Sequence, residues 1–166
     1  KAFKKINRED TKLLVVGKSW FGEENVKDEY TCKVQKEAEK VRNKIIFTGF
    51  VNPDKMPLMY QIADCLVVPS IWEEPFGVVA LEGMASGLPL IVTNSGGLPE
   101  IVNDKCAVIV NKEKDIVNNL TDEMNKMMIN EAKAKKMGEC ARETVQSNLE
   151  YDSRNYFGLF LKKTIG

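Results

Sequence analysis

Two carboxylates flank the predicted start of one helix within residues 69 to 100, PSIWEEPFGVVALEGMASGLPLIVTNSGGLPE. Glu74 precedes a helix that is predicted to begin near Phe76, and Glu82 follows Glu74 after seven intervening residues. The first-turn amides of a helix have no acceptor within the helix, and the aligned peptide dipoles place partial positive charge there. The amides from Phe76 to Val79 are therefore predicted to bind an anion such as phosphate or diphosphate.

The position of Glu82 on the helix indicates a chemical role for its carboxylate. On a helical wheel it falls beside Val78, Leu81 and Ala85, the apolar side that should pack on a sheet, so the carboxylate must find donors. At about 1.5 Å rise per residue it lies roughly 8 Å from the anion position, which suits the hydroxyls of a ribose attached to that phosphate. The structural alternative is a residue at the edge of the apolar stripe whose carboxylate reaches water.

The loop before the helix has the same two interpretations. Gly77 lets a ligand approach the backbone because it has no Cβ, and Pro75 has no N–H to leave unsatisfied. Glu74 alone would read as a solvated loop acid that caps the helix. Taken together with Glu82 and the glycine loop that follows, it favours a binding site.

These residues resemble the donor-binding core of retaining GT-B glycosyltransferases, in particular the family 4, or group 1, type. The signature of that family is a Glu, seven residues and a second Glu, with Phe-Gly after the first and Met-Ala-x-Gly-x-Pro after the second. In this sequence the matching residues are Glu74, Phe76, Gly77, Glu82, Met84, Ala85, Gly87 and Pro89. Gly83 stands where the family usually has alanine, and we expect it to cost about 1 kcal/mol of helix stability.

The resemblance implies a role for each site residue. Glu74 would be the catalytic carboxylate, holding hydroxyls of the transferred sugar, Glu82 would hold the ribose, and the backbone from Phe76 to Val79 would cradle the diphosphate. The implied donor-binding residues are Glu82, Phe76, Gly77, Val78, Val79, Phe50, Val51, Gly96 and Gly97. The implied reaction is retaining transfer of a hexose from a UDP- or GDP-linked sugar, without a metal or another cofactor, in glycan or surface polysaccharide synthesis.

Two parts of this assignment have structural alternatives. In the resembled family the backbone after the second strand borders the nucleotide base, which nominates Phe50 and Val51; a hydrophobic staple for the following helix would explain them equally well. Gly96 and Gly97 could bring N–H groups toward a ligand, but tight turns use Gly-Gly for steric reasons alone.

Composition bounds the class of protein. The chain has 166 residues, of which 43% are hydrophobic, and 24 basic residues balance 24 acidic ones, so one domain with no bulk attraction for nucleic acid is expected. Its four cysteines form no CxxC pair, and the sequence has no histidine that could complete a zinc site with them. They are therefore predicted to be reduced core residues of a cytosolic protein. No apolar stretch is long enough to span a bilayer. A cytoplasmic location is predicted, with attachment at the inner membrane face only through the parent protein.

Alternating apolar runs and helical segments predict an α/β fold, a Rossmann-like doubly wound parallel sheet with a helical C-terminal segment. The predicted strands are Lys12–Gly17, Lys44–Gly49, Cys65–Pro69, Pro89–Thr93 and Ala107–Val110. A short helix after Pro53 is expected to turn Leu58 and Ile62 inward. The loops after the strands, including the one that carries Trp20 and Phe21, should form one crevice along a single edge of the sheet.

The resemblance covers roughly residues 10 to 165. It implies that residues 1–166 are a single nucleotide-sugar-binding domain, excised from a longer protein and lacking its first strand and the basic segment after it. The N-terminal domain that would bind a glycan or lipid-linked acceptor would also be missing. We therefore expect the chain alone to be inactive and to bind a donor weakly.

Three other functions stay open at this stage. A non-catalytic nucleotide-sugar-binding or spore-coat-type protein on the same fold would keep the same helix start. An NAD-dependent dehydrogenase would need G-x-G-x-x-G after the first strand, where the sequence has GKSWFG. A receiver domain would need a cluster of acids at strand ends for Mg²⁺, and Glu73 with Glu74 is not sufficient.

Overall fold

The computed structural model describes residues 1–17 and 29–147. The loop aromatics Trp20 and Phe21 and the end of the predicted helical C-terminal segment, residues 148–166, lie outside these residues. The chain forms two compact units, Lys1–Lys55 and Met56–Gly166. Each unit has its own parallel sheet, and the site residues of the second unit can be understood from that unit alone.

The first unit is a two-stranded parallel sheet with helical turns. Its two strands, β1 at Leu13–Val16 and β2 at Ile45–Gly49, pair with Leu13 opposite Ile45. They confirm the strands predicted at Lys12–Gly17 and Lys44–Gly49. Its elements are a 3₁₀ turn at Ala2–Lys5, β1 at Leu13–Val16, α1 at Glu29–Ala38, a 3₁₀ turn at Glu39–Lys44, β2 at Ile45–Gly49 and a 3₁₀ turn at Pro53–Lys55.

The second unit alternates strands and helices around a three-stranded parallel sheet whose strands lie in the order in which they occur along the chain. Its elements are α2 at Met56–Gln61, β3 at Leu66–Val68, α3 at Val78–Ala85, β4 at Leu90–Thr93, α4 at Leu98–Ile101, β5 at Ala107–Val110, α5 at Ile116–Ile129 and α6 at Glu131–Ser147. The central strand β4 is fully buried, which explains its three consecutive apolar residues at positions 90 to 92, because a covered parallel sheet buries both faces of its strands. Within the described ranges, no helix combines the length and apolarity needed to cross a membrane.

Packing of α6 on α3 holds the site helix in place. Leu81, Met84 and Ala85 of α3 and Ala141 and Val145 of α6 belong to one buried cluster. The Arg142 guanidinium donates a hydrogen bond of 3.1 Å to the Ser86 carbonyl, at the end of α3 where the helix dipole is negative. The carboxyl end of α3 is thereby fixed, and its amino end follows the loop after β3.

The prediction for the helix after Pro53 is wrong in its orientation. Leu58 and Ile62 are 53% and 67% exposed, and Pro57 and Tyr60 of α2 are buried instead. The Tyr60 hydroxyl donates to the Glu82 carboxylate at 2.8 Å. The Tyr60 ring is buried in the core cluster, so ring burial and this hydrogen bond together place that face of the short helix inward.

The cysteines behave as packing residues. Cys106 is fully buried, and all four thiols are free. Burial, with the Asp64 carboxylate as a second cause, raises the pKa of the Cys65 thiol to about 12, so this thiol stays protonated and unreactive near neutral pH.

Candidate functional site

Helix α3 begins on a glycine that no other residue could replace without strain. Gly77 is the N-cap, with φ 88° and ψ 45°, so the helix starts at Val78, slightly later than predicted. A Cβ at Gly77 would lie 2.6 Å from Leu98 Cδ2 and 3.1 Å from Ile101 Cδ1 of α4. The left-handed backbone therefore favours glycine, and a Cβ would in addition displace the Leu98 side chain, which is fully buried.

The amino end of α3 presents unbonded amides. The Ala80 N–H donates to the Gly77 carbonyl at 2.9 Å, and it is the first amide of the helix that does so. The N–H groups of Phe76, Gly77, Val78 and Val79 donate to no acceptor in the described part of the chain. Val78 and Val79 are 42% and 48% exposed, so an anion can reach this end of the helix.

Glu82 is buried and partnered. It is 6% exposed, and its Oε2 accepts the Tyr60 hydroxyl at 2.8 Å. The predicted apolar side of α3 is confirmed for Leu81, which is fully buried, but Val78 faces outward. Because residues three and four apart share a helix face, Glu82 lies one turn beyond the exposed Val79 and Val78.

Glu74 is held within its loop and is not a solvated cap. Its Oε2 accepts the Trp72 indole N–H at 3.0 Å and the Ser70 hydroxyl at 3.3 Å. The Glu74 side chain forms no hydrogen bond to an α3 amide in the described structure, which removes the capping explanation. Both carboxylates singled out by spacing are thus fixed by donors that the spacing did not identify.

The glycine loop after β4 packs against the loop that carries Glu74. The Gly97 N–H donates to the Glu74 carbonyl at 2.8 Å, and the Gly96 N–H donates to the Glu73 carboxylate at 2.8 Å. A Cβ at Gly96 would lie 2.5 Å from the Glu74 backbone nitrogen, and one at Gly97 would lie 3.0 Å from the Pro75 oxygen. Both amides are used within the chain, which supports the steric explanation for the glycine pair; a role in donor binding stays a prediction.

An ion pair between Glu73 and Lys112 joins three loops and had no signal in the sequence. The Lys112 ammonium contacts the Glu73 carboxylate and lies 3.4 Å from the Ser95 hydroxyl. The lysine side chain is only 14% exposed, although Glu73 is 77% exposed. Because the partners are 39 positions apart, only the tertiary structure brings them together.

This pair predicts a pH-dependent contribution to stability. Hydrogen bonds from Lys112 and from the Gly96 N–H, with the lysine charge, lower the pKa of the Glu73 carboxyl. A depressed acid stabilises the fold above its unfolded pKa of about 4.3 and loses that contribution as the pH falls through the lower folded value. We expect Glu73→Gln to reduce stability in urea titrations at pH 7, and the difference from the unsubstituted protein to vanish in acid. A difference that persists unchanged at pH 2 would contradict this assignment.

Phe50 and Val51 follow β2 in the first unit. Gly49 ends the strand with φ 69°, after which Phe50 is 73% exposed and Val51 is half-buried. A hydrophobic staple requires the aromatic ring to pack on the following helix, and this exposure argues against it. Contact of these two residues with a nucleotide base stays a prediction.

Comparison with known proteins gives a match to a family model over most of the chain. The model described as "Glycosyl transferases group 1" matches residues 1–144. This range includes every site residue named above.

Individual relatives agree with the family model. The chain is 32% identical to lipopolysaccharide 1,2-N-acetylglucosaminetransferase of Salmonella typhimurium over 94% of its length, covering 44% of that protein. It is 27% identical to spore coat protein SA of Bacillus subtilis over 84% of its length, covering 37% of that protein. The structure of Anabaena HepE in complex with UDP-glucose superposes with a TM-score of 0.77 at 20% identity, over 99% of this chain and 42% of that one. The chain thus spans less than half of each of these three proteins.

Proposed function

The chain belongs to the glycosyl transferases of group 1, and from this premise we propose that it binds the nucleotide-sugar donor of a retaining hexosyltransferase. The donor would be UDP- or GDP-linked, and the reaction would serve glycan or surface polysaccharide synthesis. The acceptor, a glycan or a lipid-linked glycan, would bind to the part of the whole protein that this chain does not span.

One observation carries the proposal: an unbonded helix start lies between two carboxylates that are each held in place. Four consecutive amides from Phe76 to Val79 make no hydrogen bond in the described structure. Glu74 precedes them in the loop, and Glu82 follows them on the same helix. A nucleoside diphosphate sugar has the matching order of groups, with a sugar and a ribose on either side of two phosphates.

The chemistry needs stabilisation of the charge that develops on the departing nucleoside diphosphate. Preoriented N–H groups at a helix start supply this without reorganising, and the dipole of α3 has the required sign. Glu82 would accept hydrogen bonds from the ribose hydroxyls, and Glu74 from hydroxyls of the transferred sugar. Because both side chains are already fixed, they lose little conformational entropy when the donor binds.

The named relatives support this class of donor. The Salmonella protein is named an N-acetylglucosaminetransferase, and the Anabaena protein of the same fold was crystallised with UDP-glucose. We likewise propose that the whole protein, of which this chain is a part, transfers the sugar to a glycan or a lipid-linked glycan.

A test of the role of Glu82 compares ribonucleotides with 2′,3′-dideoxyribonucleotides. We expect Glu82→Ala to weaken binding of UDP or GDP by about tenfold or more, because a hydrogen bond from a ribose hydroxyl to a charged acceptor is lost. The same substitution should leave the affinity for the 2′,3′-dideoxy nucleotide and for inorganic pyrophosphate nearly unchanged. Isothermal titration calorimetry measures all three.

Tyr60→Phe provides the matched control, since it removes a donor to Glu82 without removing the carboxylate. It should lower stability by about 1 kcal/mol and retain discrimination between ribo and dideoxy nucleotides. Equal losses for all ligands in Glu82→Ala would show that Glu82 only supports the fold and would contradict its place in the site.

A non-catalytic nucleotide-sugar-binding protein is the second candidate, and the likeness to spore coat protein SA favours it. This candidate predicts the same nucleotide binding by the chain. The two functions separate in the whole protein, where only a transferase releases free nucleoside diphosphate from a nucleotide sugar when an acceptor glycan is supplied.

A further inference from the structure

The Glu74 carboxylate is held by one of its two oxygens. Oε2 accepts hydrogen bonds from the Trp72 indole at 3.0 Å and from the Ser70 hydroxyl at 3.3 Å. In the part of the chain that the structure describes, no donor bonds to Oε1. The carboxylate therefore has a fixed edge and an edge that is open to a ligand.

The loop that carries these three residues is anchored at alternate positions. Every second carbonyl from residue 70 to residue 74 accepts a hydrogen bond from every second residue from 93 to 97: Ser70 from the Thr93 hydroxyl, Trp72 from the Ser95 hydroxyl and Glu74 from the Gly97 N–H. The loop thus continues the pairing of β3 with β4 beyond the strand ends, partly through side-chain hydroxyls. The Trp72 indole and the Glu74 carboxylate therefore lie on one segment of backbone whose position is fixed.

Trp72 gains little from packing. Trp72 is 65% exposed, and the neighbouring Ile71 is 73% exposed. An indole in this position is held mainly by its N–H, which is a donor only and forms a charge-assisted bond with a carboxylate. The bond orients the carboxylate as much as it orients the ring.

We propose that Trp72 is a positioning residue for sugar recognition. Its indole N–H, together with the Ser70 hydroxyl, fixes Oε2 of Glu74 and directs Oε1 to the hydroxyls of the glycosyl group of a nucleotide sugar. This inference rests on the proposed function. Its contribution is preorganisation: without the indole N–H only the longer bond from Ser70 holds the carboxylate, and the sugar must order it further on binding.

The ligand test separates the sugar from the nucleotide. Trp72→Phe keeps an aromatic ring and removes the N–H. The probes are UDP with UDP-glucose and GDP with GDP-mannose, titrated into the 166-residue chain. We expect the variant to lose the sugar-dependent part of the affinity, about tenfold for the nucleotide sugar, and to change the affinity for the free diphosphate by less than about twofold. Ile71→Ala, in the same exposed loop, should change neither affinity.

A second measurement tests the geometry without any ligand. The chain holds two tryptophans, so its indole N–H region has two nitrogen-proton NMR cross-peaks, and Trp72→Phe identifies one of them. We expect Glu74→Ala to shift the Trp72 cross-peak and Ile71→Ala to leave it in place. In the unsubstituted chain, the nucleotide sugar should shift it and the free diphosphate should not.

The outcomes distinguish this inference from the proposed function. An unmoved cross-peak in Glu74→Ala, or equal sugar affinity in Trp72→Phe and the unsubstituted chain, would overturn the role of Trp72 while leaving nucleotide binding intact. Failure of every nucleotide to bind the unsubstituted chain would overturn the proposed function, and the sugar role of Trp72 with it, whatever the cross-peak does.

Discussion

Gly96→Ala is expected to lower the free energy of unfolding by about 3 kcal/mol and to abolish the sugar-dependent part of donor binding. Gly96 has φ 50°, a left-handed conformation that costs a residue with a Cβ about 1 to 2 kcal/mol. The added Cβ would also lie 2.5 Å from the nitrogen and 2.8 Å from the carbonyl carbon of Glu74, and closer still to its oxygen. Backbone cannot yield as a side-chain end can, so the two loops must separate.

Separation of these loops breaks the bonds that fix both acids before the helix. Gly96 donates to the Glu73 carboxylate and Gly97 to the Glu74 carbonyl. Urea denaturation followed by circular dichroism measures the loss of stability. Gly87→Ala is the matched control, because its φ of 77° carries the same strain while its nearest contact is the Arg142 side chain at 3.2 Å. Equal losses in the two variants would show that loop contact contributes nothing.

Gly138→Ala is expected to destabilise the protein by about 3 kcal/mol, the opposite of the usual effect of this change in a helix. Alanine in place of an exposed helical glycine stabilises by about 1 kcal/mol. Here a Cβ would lie 3.0 Å from the Gly87 carbonyl carbon, closer still to its oxygen, and 3.3 Å from Pro89 Cδ. The substitution therefore pushes α6 away from the turn between α3 and β4.

Gly83→Ala is the matched control for this prediction, since Gly83 is also a buried helical glycine. The three atoms nearest to a Cβ there all belong to the Leu66 side chain, whereas at Gly138 the nearest atoms are the backbone of Gly87. We expect its effect on the free energy of unfolding to stay below about 1 kcal/mol. Thermal denaturation of both variants decides the comparison, and a Gly138→Ala protein as stable as Gly83→Ala would contradict the close approach of α6.

The sequence predicts the elements of this fold because their signals are local. The apolar run of β4 and the glycine that precedes α3 require no knowledge of distant residues. The prediction of which face of α2 is buried was wrong because the hydroxyl of Tyr60 bonds to a carboxylate 22 positions away. Likewise, the sequence alone predicts that glycine at position 83 costs helix stability, but the Leu66 side chain occupies the space of an alanine methyl and offsets the gain that alanine would bring.

The same limit applies to the candidate site. Spacing alone identified Glu74 and Glu82, and the apolar setting of Glu82 indicated that a donor must exist. Tyr60 could have been nominated as that donor, since it carries a hydroxyl on a helix that leads into the neighbouring strand. Lys112 could not, because a lysine that follows β5 has no sequence pattern that points to Glu73.

The most direct test of the account is an NMR titration of the chain with UDP, GDP and their sugar conjugates at millimolar concentration. We expect the amide signals of Phe76 to Val79 to shift with one nucleotide in preference to the other, and Glu82→Ala to weaken the response. The Gly96 and Gly97 amides, already bonded to Glu73 and Glu74, should move less. Saturable binding that leaves the amides from Phe76 to Val79 unmoved would contradict the proposal that the start of α3 receives the diphosphate.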